Sequence, residues 1–245
     1  MHYLCKVNED GRTVSIRLSD YYRERFVHDR RLLKNPFIVP KKMAFSGRDY
    51  VVSAIDDGAF ADCSCLTSVV IPDSVTWIGD GAFRGCSGLT SVVIPDSVIW
   101  IGDYAFSGCN ELTSVVIPDS VTAIGEEAFK GCGNLESIVV GKGNRVYDSR
   151  ENCNAIIETK TNKLLRGCKN TVIPNSVTSI GKEAFWGCCG LASIVIPDSI
   201  NEIGAYAFCH HNIDSSDYVR LVVIPNSVKG IATYAFWPKQ TIYVK

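Results

Sequence analysis

A unit of the form L-x-S-V-V-I-P-D-S-V-x-x-I-G-x-x-A-F-x-G-C recurs along the chain at a step of 23 residues. Its prolines are Pro72, Pro95, Pro118, Pro174, Pro197 and Pro225, and its Ala-Phe pairs begin at Ala59, Ala82, Ala105, Ala128, Ala184, Ala207 and Ala235. A unit this short cannot bury its apolar edge alone, so copies in register have to stack on one another. The chain therefore reads as a solenoid in which each copy is one coil.

The stretch from Leu66 to Cys86 shows how a coil is built. Val69 and Ile71 alternate with Ser68 and Val70, the period of a short strand with one face inward. Pro72 has no N–H to donate and ends the strand, and Asp73 and Ser74 are suited to hydrogen-bond the turn that follows. Val75 and Ile78 enter the core on a second side. Gly79 turns the chain, a corner for which permissive φ/ψ is reason enough. Ala82, Phe83 and Cys86 fill the closing arc before Leu89 starts the next copy. Phe83, Phe106, Phe129, Phe185, Phe208 and Phe236 are thus expected to form an internal aromatic column, with Cys86, Cys109, Cys132 and Cys188 as a column of small buried side chains.

The ends and interruptions depart from the period. Residues 1–18 read as a hairpin with Asp10-Gly11 between Tyr3–Val7 and Thr13–Leu18. Tyr21 to Lys34 reads as a short helix or irregular cover, and Phe37 to Val39 opens a degenerate first repeat. Residues 1–49 are expected to be the cap with that first repeat, and 50–245 the solenoid proper. Between Pro118 and Pro174 the step is 56 residues instead of the 46 of two units. In that step Ile138–Val140 takes the strand position with Gly141 in place of proline, and the insertion falls near 141–170. Ala155–Glu158 and Lys163–Arg166, joined around Thr161-Asn162, read as a hairpin replacing the far side of one coil. A second insertion falls near 209–219, and Thr241–Val244 reads as a last edge strand.

The stretches Ser91-Val-Val-Ile-Pro-Asp-Ser97 and Ile124-Gly-Glu-Glu-Ala-Phe-Lys-Gly-Cys132 carry a resemblance. Over residues 50–245 the chain resembles the BspA-like leucine-rich repeats of bacterial surface proteins. The resemblance implies a leucine-rich-repeat solenoid, a right-handed coil with a parallel β-sheet on one face and short strands, turns, irregular or 3-10 segments on the other. It also implies adhesion or protein binding, and a cell-surface or secreted location. Ser74, Ser97, Ser120, Ser176 and Ser199 stand where the general leucine-rich pattern has asparagine, so a ladder of hydroxyls is expected in place of amides.

The net charge of −1 does not favour nucleic acid as a partner, although residues 17–49 hold nine Lys or Arg against four acidic groups. Eleven cysteines, several of them tied to the repeat, read as buried thiols, because side chains held parallel on adjacent coils are poorly placed to bridge. An isolated bridge among Cys5, Cys65, Cys153, Cys168, Cys189 and Cys209 stays open. Met1 to Leu18 lacks the apolar stretch of a signal peptide, and no segment reads as membrane-spanning. The other reading of the chain is therefore an intracellular structural or interaction scaffold, with thiols suited to a reducing compartment.

Catalysis finds little support. A serine repeated on every coil is explained by the fold, and no nucleophile, base and orienter can be assembled from singular residues. Cys209, His210, His211, Asp214 and Asp217 form the one local cluster of metal-ligand types, but the spacing matches no zinc pattern and reads as a polar loop. The post-proline residues Asp73, Asp96, Asp119 and Asp198 alternate with Asn175 and Asn226, which favours turn capping over calcium. No metal and no cofactor are expected.

Binding of a protein, such as a host extracellular-matrix protein, or of a glycan is the favoured function, and two surfaces are candidates. The first is the outward strand position, Val70, Val93, Val116, Val139, Val172, Val195 and Val223, flanked by Ser68, Ser91, Ser114, Ser137 and Ser193. The plain alternative is that β-branched residues suit a pleated surface. The second breaks the repeat. Trp77 and Trp100 share one position on adjacent coils where Ala123, Ser179 and Glu202 stand elsewhere, Tyr104 and Tyr206 share another, and Trp186 and Trp237 a third. Such aromatics are hot spots or sugar platforms, or else pack against the cap. The oligomeric state is left open.

Overall fold

The computed structural model describes residues 3–18, 36–45, 47–191, 193–209, 221–236 and 240–244. The expected cover over 21–34, the His210, His211, Asp214 and Asp217 loop and Trp237 lie outside them, as does the second insertion beyond Cys209. The chain is a leucine-rich-repeat solenoid of short parallel strands, and it forms two compact units. One is Met1–Leu112 with Pro118–Phe129 and the other Thr113–Ile117 with Lys130–Lys245.

In the first unit the expected ladder is present. Phe37–Ile38, Ser68–Val70 and Ser91–Val93 pair in parallel, Val69 against Val92 and Phe37 against Val69. Each coil corner after proline is closed by the backbone, as where Val75 N–H donates to Pro72 O at 3.0 Å. The serine hydroxyls then tie one coil to the last: Ser74 Oγ donates to Val52 O at 2.7 Å, Ser97 to Val75 O at 2.6 Å and Ser120 to Val98 O at 2.7 Å. These three bonds are the expected hydroxyl ladder in this unit; Ser199, expected to continue it, has a buried Oγ with no hydrogen-bond partner among the described residues. Asp73, Asp96 and Asp119 are exposed, and Asp73 pairs with Lys41 at 2.6 Å.

A second parallel ladder runs through Arg48–Ile55, Trp77–Ile78, Trp100–Ile101 and Ala123–Ile124. The sequence placed Val75 and Ile78 on a second side of the core, but strands of two residues have no period to reveal them. The N-terminal hairpin has the expected ends, Tyr3–Val7 and Thr13–Leu18, and Asp10 Oδ1 accepts the N–H groups of Arg12 and Thr13 at 2.8 and 2.9 Å in its turn. Its second strand joins this ladder in parallel, Thr13 against Val51. Lys42–Phe45 adds an antiparallel partner to Arg48–Ile55 that the sequence reading missed.

Glycine has two distinct uses in these coils. Gly79 and Gly102 do not take a positive φ, which corrects the expectation of a permissive corner. A Cβ on Gly79 would lie 2.5 Å from Asp57 Oδ1 and 2.7 Å from Asp57 N, and a Cβ on Gly102 would meet Asp80 at the same distances. Close approach of the preceding coil is what requires glycine there. The left-handed backbone falls two residues later, at Gly81 (φ 57°), Tyr104 (55°) and Glu127 (56°).

The core is the predicted aromatic column. Phe60, Phe83, Phe106 and Phe129 stack with centroids 5.2, 5.3 and 5.3 Å apart and planes within 6°, and Phe37 closes one end edge-on at 5.3 Å. Such offset contacts add about 0.5–1.5 kcal/mol per pair to the burial itself. Beside them Cys86 Sγ donates to Phe60 O at 3.0 Å and Cys109 Sγ to Phe83 O at 3.3 Å.

In the second unit Ser114–Ile117 pairs in parallel with Ser137–Val140. Gly141 N–H donates to Ile117 O at 2.8 Å, a bond that the proline of other coils could not make. The inserted segment folds as Tyr147–Asp148, Ala155–Glu158 and Lys163–Gly167, antiparallel in that order. As expected, it replaces the far side of one coil: Lys163–Gly167 pairs in parallel with Ser179–Ile180, which continues through Glu202–Ile203 to Gly230–Ile231. Ser193–Val195, Leu221–Ile224 and the edge strand Thr241–Val244 form the other ladder. Phe185, Phe208 and Phe236 stack at 5.1 and 5.3 Å.

Candidate functional site

The second ladder of the first unit places one residue of each strand outward in the order Ala54, Trp77, Trp100, Ala123. Register alone brings the two indoles together, since the strands are held by backbone bonds at one-coil spacing. Their ring centroids are 5.1 Å apart and their planes 11° from parallel. Both stay about half out of the core, with 45% of Trp77 and 44% of Trp100 exposed. Ile99 and Tyr104 are exposed nearby in sequence, the latter carried on its left-handed backbone.

A row of carboxylates accompanies the indoles, and the sequence reading did not find it. Asp57 Oδ1 accepts Asp80 N–H at 2.8 Å, Asp80 Oδ1 accepts Asp103 N–H at 2.8 Å, and Asp103 Oδ1 accepts Glu126 N–H at 2.7 Å. An acidic residue following Ile-Gly at the 23-residue step was the available signal.

The strand face behaves as its period predicts. Val70 and Val93 in the first unit, and Val116, Val139 and Val195 in the second, are exposed, whereas Val223 is half-buried. Val172 is also exposed but belongs to no strand; its N–H donates at 3.1 Å to the O of Cys153, a residue of the insertion. Ser91, Ser114 and Ser193 lie open beside the valines, with Ser68 and Ser137 half-buried.

The second unit carries its own aromatic group. Tyr206 stacks on Tyr234 at 5.5 Å, Trp186 meets Tyr206 edge-on at 5.9 Å, and Lys130 Nζ lies 4.7 Å over Trp186 while it pairs with Glu183 at 2.8 Å. Tyr234, overlooked in the sequence, sits immediately before the last Ala-Phe pair. The row equivalent to the indoles reads Lys163, Ser179, Glu202, Gly230, and with Lys182 it lines an open depression of about 440 Å³.

The thiols lack the environment of a nucleophile. Nine of the eleven cysteines are buried and Cys5 and Cys189 partly so. Burial pushes Cys153, Cys188 and Cys209 up to about 11, which suppresses the thiolate. Among the described residues no group of three or more His, Cys, Asp or Glu could hold a metal ion, and no helix is long and apolar enough to cross a membrane.

The model of the BspA type leucine-rich-repeat region matches residues 53–162 and 155–243, in 6 copies. The fold is similar to that of a leucine-rich cell surface protein from Faecalibacterium prausnitzii, at 21% identity and a TM-score of 0.50, over 99% of this chain and 93% of that one. A leucine-rich-repeat protein from Bacteroides ovatus matches at 24% identity and a TM-score of 0.51, over 94% of this chain and 65% of that one. The pneumococcal vaccine antigen PcpA matches at 12% identity and a TM-score of 0.61, over 99% of this chain and 79% of that one. No curated protein sequence matches the chain.

Proposed function

The chain belongs to the BspA-type leucine-rich-repeat family, and from that membership and the paired indoles we propose an adhesion-type module that binds a protein or glycan ligand without catalysis. The observation that carries this reading is the exposure of two stacked tryptophans at a position filled by alanine in the flanking coils. Large amphipathic rings held rigid on a sheet supply contact area at little entropic cost, and tryptophan is enriched among residues that dominate binding energy. Trp77, Trp100 and Tyr104 are the proposed contact residues. The competing surfaces are the valine and serine rows, Ser68, Val70, Ser91 and Val93 in the first unit and Ser114, Val116, Val139 and Val195 in the second. Residues 1–49 act in this reading as the cap with a degenerate first repeat. A location at the bacterial surface is supported by the description of the Faecalibacterium relative as a cell surface protein.

The test is binding of the intact protein to arrays of extracellular-matrix proteins and host glycans, alongside Trp77→Ala/Trp100→Ala and Val93→Ser/Val116→Ser double variants. A specific hit lost in the tryptophan variant alone supports the reading. A hit lost in the valine variant moves the site to the strand face. No hit, with all three proteins folded, abandons adhesion for the intracellular scaffold.

A further inference from the structure

We infer that the partner at the Trp77 and Trp100 surface is a basic protein segment, whose arginine or lysine side chains lie on the open indole faces and pair with the neighbouring carboxylates. This rests on the reading of that surface as the binding site and adds the chemistry of what it binds.

Each indole has one face against the other ring. The other face looks toward a coil whose matching residue is alanine, Ala54 beside Trp77 and Ala123 beside Trp100. Two aromatic faces are therefore open, one at each end of the pair, and no second bulky residue competes for them in the register row. An indole face is the strongest aromatic side-chain acceptor for a cation.

The carboxylates are fixed close by. Asp57 Oδ1 sits against Gly79 and Asp80 Oδ1 against Gly102, in each case two residues beyond the tryptophan of that coil. Two residues of extended chain span about 6–7 Å. Because each Oδ1 is bound to a backbone N–H of the next coil, the carboxylates cannot turn away from one another to relieve their repulsion. They remain as a row at coil spacing, about 4.8 Å from one to the next. The stretches 54–57, 77–81, 100–104 and 123–127 contain Asp56, Asp57, Asp80, Asp103, Glu126 and Glu127 and no lysine or arginine. Two cations lie near these stretches, Arg17, on the hairpin strand that pairs with Ala54 and Ile55, and Arg84, just past Gly81. The surface thus combines aromatic faces with a predominantly negative charge, and a cation satisfies both at once. A neutral sugar could stack but would leave the repulsion in place. The equivalent row of the second unit, Lys163, Ser179, Glu202 and Gly230, has neither feature, so the preference belongs to the first unit.

The experiment titrates the full chain, by tryptophan fluorescence and calorimetry, with an arginine-rich Gly/Ser peptide, its glutamate counterpart and a panel of neutral oligosaccharides. The arginine peptide is expected to bind with an affinity that falls as salt rises, and the glutamate peptide not to bind. Trp100→Ala is expected to weaken binding about tenfold. Asp80→Asn/Asp103→Asn, which keeps the acceptor oxygens and so the fold, is expected to weaken it by a similar factor with an unchanged urea midpoint. Trp100-dependent binding of a neutral oligosaccharide without binding of the arginine peptide overturns the inference while leaving the surface a binding site. Arginine-peptide binding unaffected by either variant, or no binding of any probe, overturns it together with the reading on which it rests.

Discussion

Asp80 Oδ1 accepts the backbone N–H of Asp103, one coil ahead, at 2.8 Å, and the same oxygen lies 2.5 Å from where a Cβ on Gly102 would fall. One carboxylate thus stitches two coils and prescribes the residue beneath it. Gly102→Ala would force Asp80 Oδ1 away from the Asp103 N–H, and a loss of about 1–3 kcal/mol is expected from overpacking of this kind. Urea midpoints of the two proteins measure it, and an unchanged midpoint would refute the role given to close approach. Tyr104, two residues on, has φ 55°. Tyr104→Gly is therefore expected to be more stable than Tyr104→Ala by about 1 kcal/mol, since the two differ only in the Cβ that the left-handed backbone penalises.

The stacked indoles at 5.1 Å are expected to be energetically coupled. A double-mutant cycle through Trp77→Ala, Trp100→Ala and the double variant is expected to return about 0.5–1.5 kcal/mol of interaction. The exciton signal of the pair in far-ultraviolet circular dichroism is expected to vanish in either single variant. Persistence of that signal in both would mean the rings are not in contact.

Ser97 donates to Val75 O at 2.6 Å from a half-buried position. Ser97→Ala leaves that carbonyl without its bond and is expected to cost about 0.5–1.5 kcal/mol. Asp96→Ala, at the exposed neighbouring corner, is expected to stay within about 0.5 kcal/mol of the parent. Equal effects would contradict the assignment of the ladder to the hydroxyls.

Phe106 is fully buried between Phe83 and Phe129, at 5.3 Å from each. Phe106→Ala is expected to cost about 3–5 kcal/mol in chemical denaturation. Phe236, only partly buried at its end of the second column, is expected to cost less when truncated. The reverse order would argue against a continuous column as the source of stability.

Burial holds the thiols of Cys153, Cys188 and Cys209 at about 11, above their ordinary 9.0. The folded chain keeps protons that the unfolded chain releases, so this contribution is fully present below pH 9.0 and is lost as pH rises toward 11. Urea midpoints taken near neutrality and at about pH 10.5 are expected to fall, and Cys188→Ala to reduce the fall. A Cys188→Ala protein with an undiminished fall would show that other groups carry it.

Much of the fold was legible because its causes are local. Alternation in Ser68–Val70, the turn residues Asp10-Gly11 and Thr161-Asn162, and the chain-stopping prolines act within a few residues, so the ladder strands and both hairpins followed from the sequence. The 23-residue step told which side chains recur, and therefore that Phe83 and Phe106 stack and that Trp77 meets Trp100. Three other features depend on which atoms of successive coils touch, and only the tertiary structure decided them. Two-residue strands such as Trp77–Ile78 exist because their neighbours one coil away supply the bonds. Gly79 is glycine because Asp57 presses on it, a contact across 22 residues that no propensity expresses. The N-terminal hairpin extends the second ladder through Thr13 and Val51, a pairing set by the fit of whole strands rather than by any motif in either. Period determined the order of the coils, and close packing between them determined what each position has to be.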